Sequence, residues 1–443
     1  MHGRDMISTT FQRGLAAARR VTRNERQMFV VLNIIVNLLL FGRSYVTMQV
    51  LDYRALGLAA LVQGVVLLVA SLQLGFLNGS YRLIVTAEAD EARRINNLVY
   101  TSLALIALVS LAAATLSLAV IRSPETILVA LLGVVGGVMT LVRNWMTNRL
   151  IAEGCLGRLN SINFWTALMS LGPLLFVAVD PLKACLFAIV VQPAAFVIAV
   201  AVKEPAQLPT QLIWPRELVI QVLRIGFVLF LTGIFLQVNL QLERWYITSV
   251  LGVAALGHFY LAFLFVTLFQ MVPTSLDQLF LPQIVRAFDH KVAPGNSIRQ
   301  YVFIALGYCT FVIAIMFFLS KLLTELVLPQ YVGDLVYVYL LAPGLMIFTI
   351  ASPLSLIFNV MVRYRYSMIA YGGSTIVTAA GLFGALAMGQ VLQLDEVMIL
   401  RSIVYAFTAA MIVLGFLHLS AIAPEFRFSL LPSQPPVRTH EAD

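Results

Sequence analysis

The sequence predicts an all-α integral membrane protein with twelve membrane-crossing helices in two pseudo-repeated six-helix bundles. Three observations carry this reading. The 443 residues are 60% hydrophobic and only 11% charged, whereas soluble domains are about 25% charged. Twelve apolar stretches are each close to or above the ~20 residues a helix needs to cross the hydrocarbon core. The last six stretches also repeat the first six. Val50, Leu51, Ala55, Leu56, Gly57, Leu61, Val66, Ile84 and Val85 match Val250, Leu251, Ala255, Leu256, Gly257, Leu261, Val266, Ile284 and Val285. A duplicated hydrophobic chain of this kind points to a transporter with its substrate path between the halves.

The elements follow in order. Residues 1–27 form a basic segment in which Met6, Phe11, Leu15 and Ala18 stand among arginines. That is the pattern of a helix lying on an anionic leaflet, or of a disordered tail. Spans at 28–50, 57–85, 98–121, 127–150, 159–179 and 182–202 make a first bundle over 28–202. The acids Glu88, Asp90 and Glu91, followed by Arg93 and Arg94, have the charge order of an exposed helical stretch between spans 2 and 3. Residues 203–217, with Pro205, Pro209 and Pro215, read as the linker. Spans at 218–241, 253–285, 301–319, 335–362, 367–390 and 397–420 make the second bundle over 218–420. The Pro- and Ser-rich tail, 421–443, reads as disordered.

A net charge of +8 could suggest a nucleic-acid partner, but its distribution argues against one. With the N-terminus inside, the inner segments hold 20 of the 29 Lys and Arg residues and the outer ones five (Arg54, Arg122, Lys183, Arg244 and Lys321). This bias predicts a multi-pass membrane protein with both termini cytoplasmic. Apolar sequence fills a full span after the basic lead, so the first span reads as an uncleaved helix. Cys155, Cys185 and Cys309 lack metal-ligand spacing. No phosphate-binding glycine loop with its Lys-Ser/Thr appears, so transport is expected to run without ATP bound to this chain. No metal and no cofactor is expected, and no catalytic constellation points to an enzyme.

The informative residues are polar ones inside spans. Arg43 lies deep in span 1, where a cation costs at least a few kcal/mol unless it faces water or a counter-charge. Asn33, Asn37 and Ser44 recur at +4 and +11 on the same helix, a polar stripe along one face. Gln237 is the repeat partner of Asn37, and Arg244 that of Ser44; Gln237, Gln241 and Arg244 share a face of span 7. Arg143 in span 4 lies less than two turns from Arg149, and it either contributes to a cationic inner vestibule or anchors headgroups. Two acids near spans, Glu243 and Asp277, are the candidates for ion coupling. Asp277 follows Pro273, whose ring opens the backbone ladder. The competing readings are plain interhelical hydrogen bonding for the polar stripes, a Glu243 partner for Arg244, and a helix kink with a polar side chain near the inner interface for Asp277.

At the matched segments a family resemblance becomes specific. Ala55, Leu56 and Gly57, then Leu74, Gly75 and Phe76, with Arg82, resemble the opening of the Wzx-type polysaccharide flippases. Glu243, Arg244, Leu251, Gly252, Leu256, Gly257, Tyr260 and Pro282 resemble that family's span 7–8 signature. The family sits in the multidrug/oligosaccharidyl-lipid/polysaccharide (MOP) superfamily. The resemblance implies two six-helix bundles forming a V, with alternating access to a central cationic cavity. It also implies export of a polyprenyl-diphosphate-linked oligosaccharide, a cell-surface polysaccharide precursor, from the cytoplasmic to the periplasmic leaflet. The implied partners are that lipid-linked substrate, membrane lipids, a polysaccharide polymerase and glycosyltransferases, with coupling to H+ or Na+. On this reading Arg43, Asn37, Gln237, Gln241, Arg244 and Arg143 bind substrate. Two other classes remain open: a small-molecule exporter of the same superfamily driven by an ion gradient, and a non-transporting membrane subunit of a glycan assembly complex. The scarcity of acids and the presence of Arg43 weigh against an exporter of cationic drugs.

Overall fold

A computed structural model of the chain describes residues 25–85, 87–118, 123–271, 295–360 and 364–429. The described residues form helices and no strand. Those before the linker are α1 (Glu25–Val50), α2 (Tyr53–Ser71), α3 (Phe76–Ile84), α4 (Ala89–Leu118), α5 (Pro124–Ala152), α6 (Leu156–Met169) and α7 (Pro181–Lys203). After it come α8 (Arg216–Val250), α9 (Val253–His258) and α10 (Tyr260–Met271). The remainder are α11 (Gly295–Val327), α12 (Leu335–Val360), α13 (Tyr364–Leu392) and α14 (Glu396–Ser429). Among the described residues, nine helices are long and apolar enough to cross a membrane. The chain is an all-α integral membrane protein, and its large apolar side chains point outward as lipid requires. Leu108, Val109 and Leu116 on α4 and Phe317 and Phe318 on α11 are all exposed.

Local chemistry fixes the helix starts. Asp52 caps α2 by accepting the Ala55 N–H at 2.8 Å. Asp180 caps α7 by accepting the Lys183 N–H at 3.0 Å, with Pro181 at the first helical position. Asp395 accepts the Met398 N–H at 2.8 Å ahead of α14. Each carboxylate satisfies a donor that the first helical turn leaves without a partner.

Several predicted spans are corrected. The span expected at 57–85 is broken: α2 stops at Ser71, and Leu74 (φ 50°) and Gly75 (φ 91°) turn the chain before α3. Gly75 adopts this left-handed conformation without a Cβ penalty, and the break lets its backbone meet that of Gly226 on α8 closer than any Cβ would allow. The span expected at 159–179 is α6 followed by a 3-10 turn at Gly172–Phe176, because Pro173 has no N–H to continue the α-helical ladder. Helix α8 continues past the predicted 241 to Val250, so Arg244 lies inside a helix and is buried rather than in an outer segment. Helix α14 runs to Ser429, so the tail expected to be disordered from 421 begins as helix. The amphipathic segment expected before α1 lies mostly outside the described residues.

The chain forms two compact units, the first ending at Leu264 and the second beginning at Phe265. In the first, α2 packs on α5, α5 on α7, and α6 on α1 and α7; α3 packs on α4 and α8. Its core includes Leu77, Ile95, Val99, Leu103, Leu141 and the fully buried Trp145. The Trp145 indole N–H donates to Asn96 Oδ1 at 2.9 Å.

Around this core the linker is strapped to the first unit. Buried Arg149 donates to the carbonyls of Ala206 at 3.1 Å and Gln207 at 3.2 Å, and pairs with Glu153 at 3.0 Å. Gln207 Nε2 donates to Glu153 at 2.6 Å. Asn97 Oδ1 accepts the Thr210 N–H at 3.0 Å, and Thr101 Oγ1 accepts the Ile213 N–H at 3.0 Å. Arg149 is therefore committed to the linker and adds nothing to a vestibule around Arg143.

The sequence repeat reappears as paired backbone contacts. Gly57 lies against the Val253 carbonyl, and Gly257 lies against the Tyr53 carbonyl, each too close to admit a Cβ. Gly57 and Gly257 are repeat partners, and so are Tyr53 and Val253, so one contact is the exchange of the other. Substituting Gly257→Ala forces this seam between α2 and α9 apart, at about 1–3 kcal/mol by analogy with overpacked cores. The expected result is a lowered thermal midpoint for purified Gly257→Ala. Gly233→Ala on α8, where no atom stands near the added methyl, leaves the midpoint unchanged or raises it. Equal midpoints for Gly257→Ala and the parent protein would remove the seam as a structural constraint.

In the second unit α12 and α13 both pack on α14. Thr408 donates to Leu340 O at 2.9 Å and Ser374 to Ala410 O at 3.0 Å. His418 is buried, with Nδ1 at 2.9 Å from Leu414 O and its ring edge-on to Tyr371.

Candidate functional site

The first unit gathers guanidinium groups at buried or half-buried positions. On α1 the polar stripe is divided in use. Asn37 is spent within its own helix, its Nδ2 donating to Asn33 O at 2.8 Å. One turn and a half further on, Arg43 reaches across to α7, where its Nη1 donates to Ala188 O at 2.8 Å. Thr47, one turn on from Arg43, donates to the Arg43 carbonyl at 3.0 Å and interacts with Cys185 of α7.

Tyr260, at the start of α10, is held to α2, where its hydroxyl accepts from Gln63 Nε2 at 3.1 Å, and Ser44 of α1 lies within its electrostatic reach. Both Arg43 and Arg244 interact electrostatically with it. Arg244 lies over the Phe263 ring at 3.8 Å, a cation–π geometry, and its Nη1 is 3.5 Å from Ala60 O. Gly64 of α2 makes the room: a Cβ there would stand 3.1 Å from Gln241 Oε1 and 3.8 Å from Arg244 Cδ. The shared face of Gln237, Gln241 and Arg244 thus meets α2 at Gln241 and Arg244.

Several of these groups keep unfilled bonding capacity. The side-chain oxygens Gln237 Oε1 and Gln241 Oε1, together with Arg244 Nε, are buried without a hydrogen-bond partner. Glu243 is only 2% exposed, and its Oε2 also has none. Adjacent positions on a helix point about 100° apart, and Glu243 and Arg244 form no ion pair. Among the described residues, no ion pair involves Arg43, Arg143 or Arg244.

Arg143 stands apart from this group. Its Nη2 donates to Asn163 Oδ1 of α6 at 3.2 Å, its guanidinium lies 5.3 Å from the Phe196 ring centre of α7, and its Nε is buried without a partner. Asp277 lies outside the described residues. Of the predicted residues, Arg43 and Arg244 both interact electrostatically with Tyr260, and Gln241 and Arg244 meet α2 at Gly64. Sequence reasoning missed Tyr260, Gln63 and Cys185 as parts of the site. Tyr260 stood in the span 8 motif and Gln63 is a lone amide in an apolar span, but neither signal says which helix faces it.

No protein-family model matches the chain, and no curated protein matches its sequence. Solved structures do match. An inward-facing multidrug resistance MATE family transporter of the MOP superfamily aligns with a TM-score of 0.65 at 14% identity, over 91% of this chain and 100% of that one. A variant of the Vibrio cholerae MATE transporter VcmN aligns with a TM-score of 0.66 at 15% identity, over 91% and 97%. A Pyrococcus furiosus MOP superfamily transporter, described as having a binding pocket of reverse polarity that suggests a different function, aligns with a TM-score of 0.62 at 14% identity, over 92% and 97%. At such identities the likeness is one of fold. The chain has the fold of the MATE transporters of the MOP superfamily.

Proposed function

We propose that this protein is a flippase for a polyprenyl-diphosphate-linked oligosaccharide, moving it from the cytoplasmic to the periplasmic leaflet of a bacterial inner membrane by alternating access. The observation that carries this reading is a set of arginines, Arg244 buried and Arg43 and Arg143 half-buried, that form no ion pair among the described residues, although Glu243 interacts electrostatically with Arg244. Arg43 and Arg244 both interact electrostatically with Tyr260, and Gln241 and Arg244 both stand against Gly64 of α2. Guanidinium groups bind phosphate oxygens in a planar fork, and amides suit sugar hydroxyls. An anionic cargo supplies a counter-charge to Arg43, which has no ion pair among the described residues.

Glu243 is the candidate for ion coupling, as a buried carboxylate without a hydrogen-bond partner at Oε2. That observation also favours the second reading, a small-molecule exporter driven by an ion gradient. One experiment separates them. Vesicles containing only this protein, loaded with lipid-linked glycan, are assayed for its appearance in the opposite leaflet, with and without a proton or sodium gradient. The flippase reading expects transfer that needs the protein. Transfer no faster than in protein-free vesicles would overturn it. If Glu243 couples, Glu243→Gln removes the gradient response; an unchanged response excludes that role.

A further inference from the structure

A second cluster in the first unit, between α5, α6 and α7, lies outside the Tyr260 group. Three positions on one stripe of α7 organise it: Ala188, Gln192 and Phe196, each one turn from the next. Ala188 presents its carbonyl to Arg43. Phe196 lies beneath the guanidinium of Arg143. Gln192 stands between them and is 6% exposed, yet its Nε2 donates to nothing. The stripe spans about 12 Å at 1.5 Å per residue.

Opposite, α6 supplies Asn163, which accepts from Arg143, and one turn earlier Asn160, 3% exposed and with a buried Oδ1 that has no partner. Arg143 Nε is unpartnered as well. Ordinary interhelical hydrogen bonding closes such groups on one another. Here the amide N–H of Gln192 and the Nε–H of Arg143 are both left open in a protein interior, beside a cation that has no ion pair among the described residues.

We propose that this cluster is an anion site of its own, in which Arg143 and Gln192 donate to a phosphate or diphosphate group and Asn163 holds the guanidinium in place. The ligand class follows from the donors. A planar fork and an amide N–H, with no acid paired to the arginine among the described residues, suit tetrahedral oxyanions. Because Arg43 engages the same stripe of α7, the cluster gives a diphosphate headgroup a second cationic station. That link to a lipid headgroup rests on the cargo reading above, whereas the anion site does not.

The test uses the full-length protein in nanodiscs, with inorganic pyrophosphate and a short-chain polyprenyl diphosphate as separate probes. Binding is read as a shift in thermal midpoint and as a dissociation constant. Arg143→Met is expected to weaken both probes at least tenfold, and Gln192→Leu severalfold. Without ligand, Gln192→Leu should match or exceed the parent midpoint, since it removes an unsatisfied buried amide. Loss of binding in a variant of undiminished stability therefore reports on the site rather than on folding. Arg158→Gln, which breaks only a surface pair with Glu204, should bind like the parent.

Tighter binding of the polyprenyl probe would identify a lipid headgroup as the source, and equal binding a free phosphate; either supports the site. Binding of neither probe, or unchanged binding in both Arg143→Met and Gln192→Leu, overturns it. If the leaflet assay fails while pyrophosphate binding depends on these residues, the site stands and the glycan cargo falls.

Discussion

Replacing Arg43 with alanine should lower the rate of lipid-linked glycan transfer by roughly ten- to a hundredfold, since charge-assisted hydrogen bonds contribute on the order of 1.5–3 kcal/mol. Arg43 is the deepest cation on α1. Among the described residues its hydrogen bond to Ala188 O uses a single N–H of five. The remaining donors have no carboxylate among the described residues to satisfy them. Arg43→Lys should recover only part of the loss, because a point charge replaces a planar fork. Expression and insertion should survive in both variants, since alanine removes a membrane-insertion penalty and lysine keeps a comparable one. The measurement is the leaflet assay in vesicles normalised to inserted protein. A normal rate for Arg43→Ala would exclude the residue from the transport path.

Arg149→Ala should produce the largest loss of stability. The side chain satisfies the carbonyls of Ala206 and Gln207 and pairs with Glu153, which also accepts from Gln207. Removing it strands the Ala206 carbonyl, at about 1–3 kcal/mol for a buried group left unmade, and leaves the Gln207 carbonyl with only the Asn96 Nδ2 donor at 3.3 Å. The expected outcome is a drop of several degrees in thermal midpoint and faster proteolysis within 204–213. Arg149→Lys should restore little, because one ammonium cannot reach two carbonyls and a carboxylate in the same plane. Unchanged proteolysis in Arg149→Ala would show that the Asn96, Asn97 and Thr101 contacts hold the linker without it.

Much of the architecture was legible in the chain. Hydropathy is summed along a local window, so the apolar spans and the prolines of the linker are visible without any knowledge of neighbours. The 200-residue repeat is visible for the same reason, and it resurfaces as the exchanged contacts of Gly57 and Gly257. Burial of a cation is also local information, since Arg43 lies too deep in its span to avoid the membrane interior. Helix ends were less legible. The break at Leu74 and Gly75 depends on the close approach of Gly226, and the length of α8 depends on what covers Arg244.

The sequence by itself determined the membrane class, the duplicated spans and the presence of deep arginines with few acids to neutralise them. Only the tertiary structure decided what each of those arginines meets. It placed Arg43 and Arg244 within electrostatic reach of Tyr260, assigned Arg149 to the linker, and set Arg143 against Asn163 and Phe196. The physical reason is that a span's apolar character fixes its depth in the membrane, while its rotation is fixed by the faces of its neighbours. In helices apolar nearly all the way round, no hydrophobic stripe announces that rotation. Close glycine contacts and a few polar side chains set it instead, and those act across the fold.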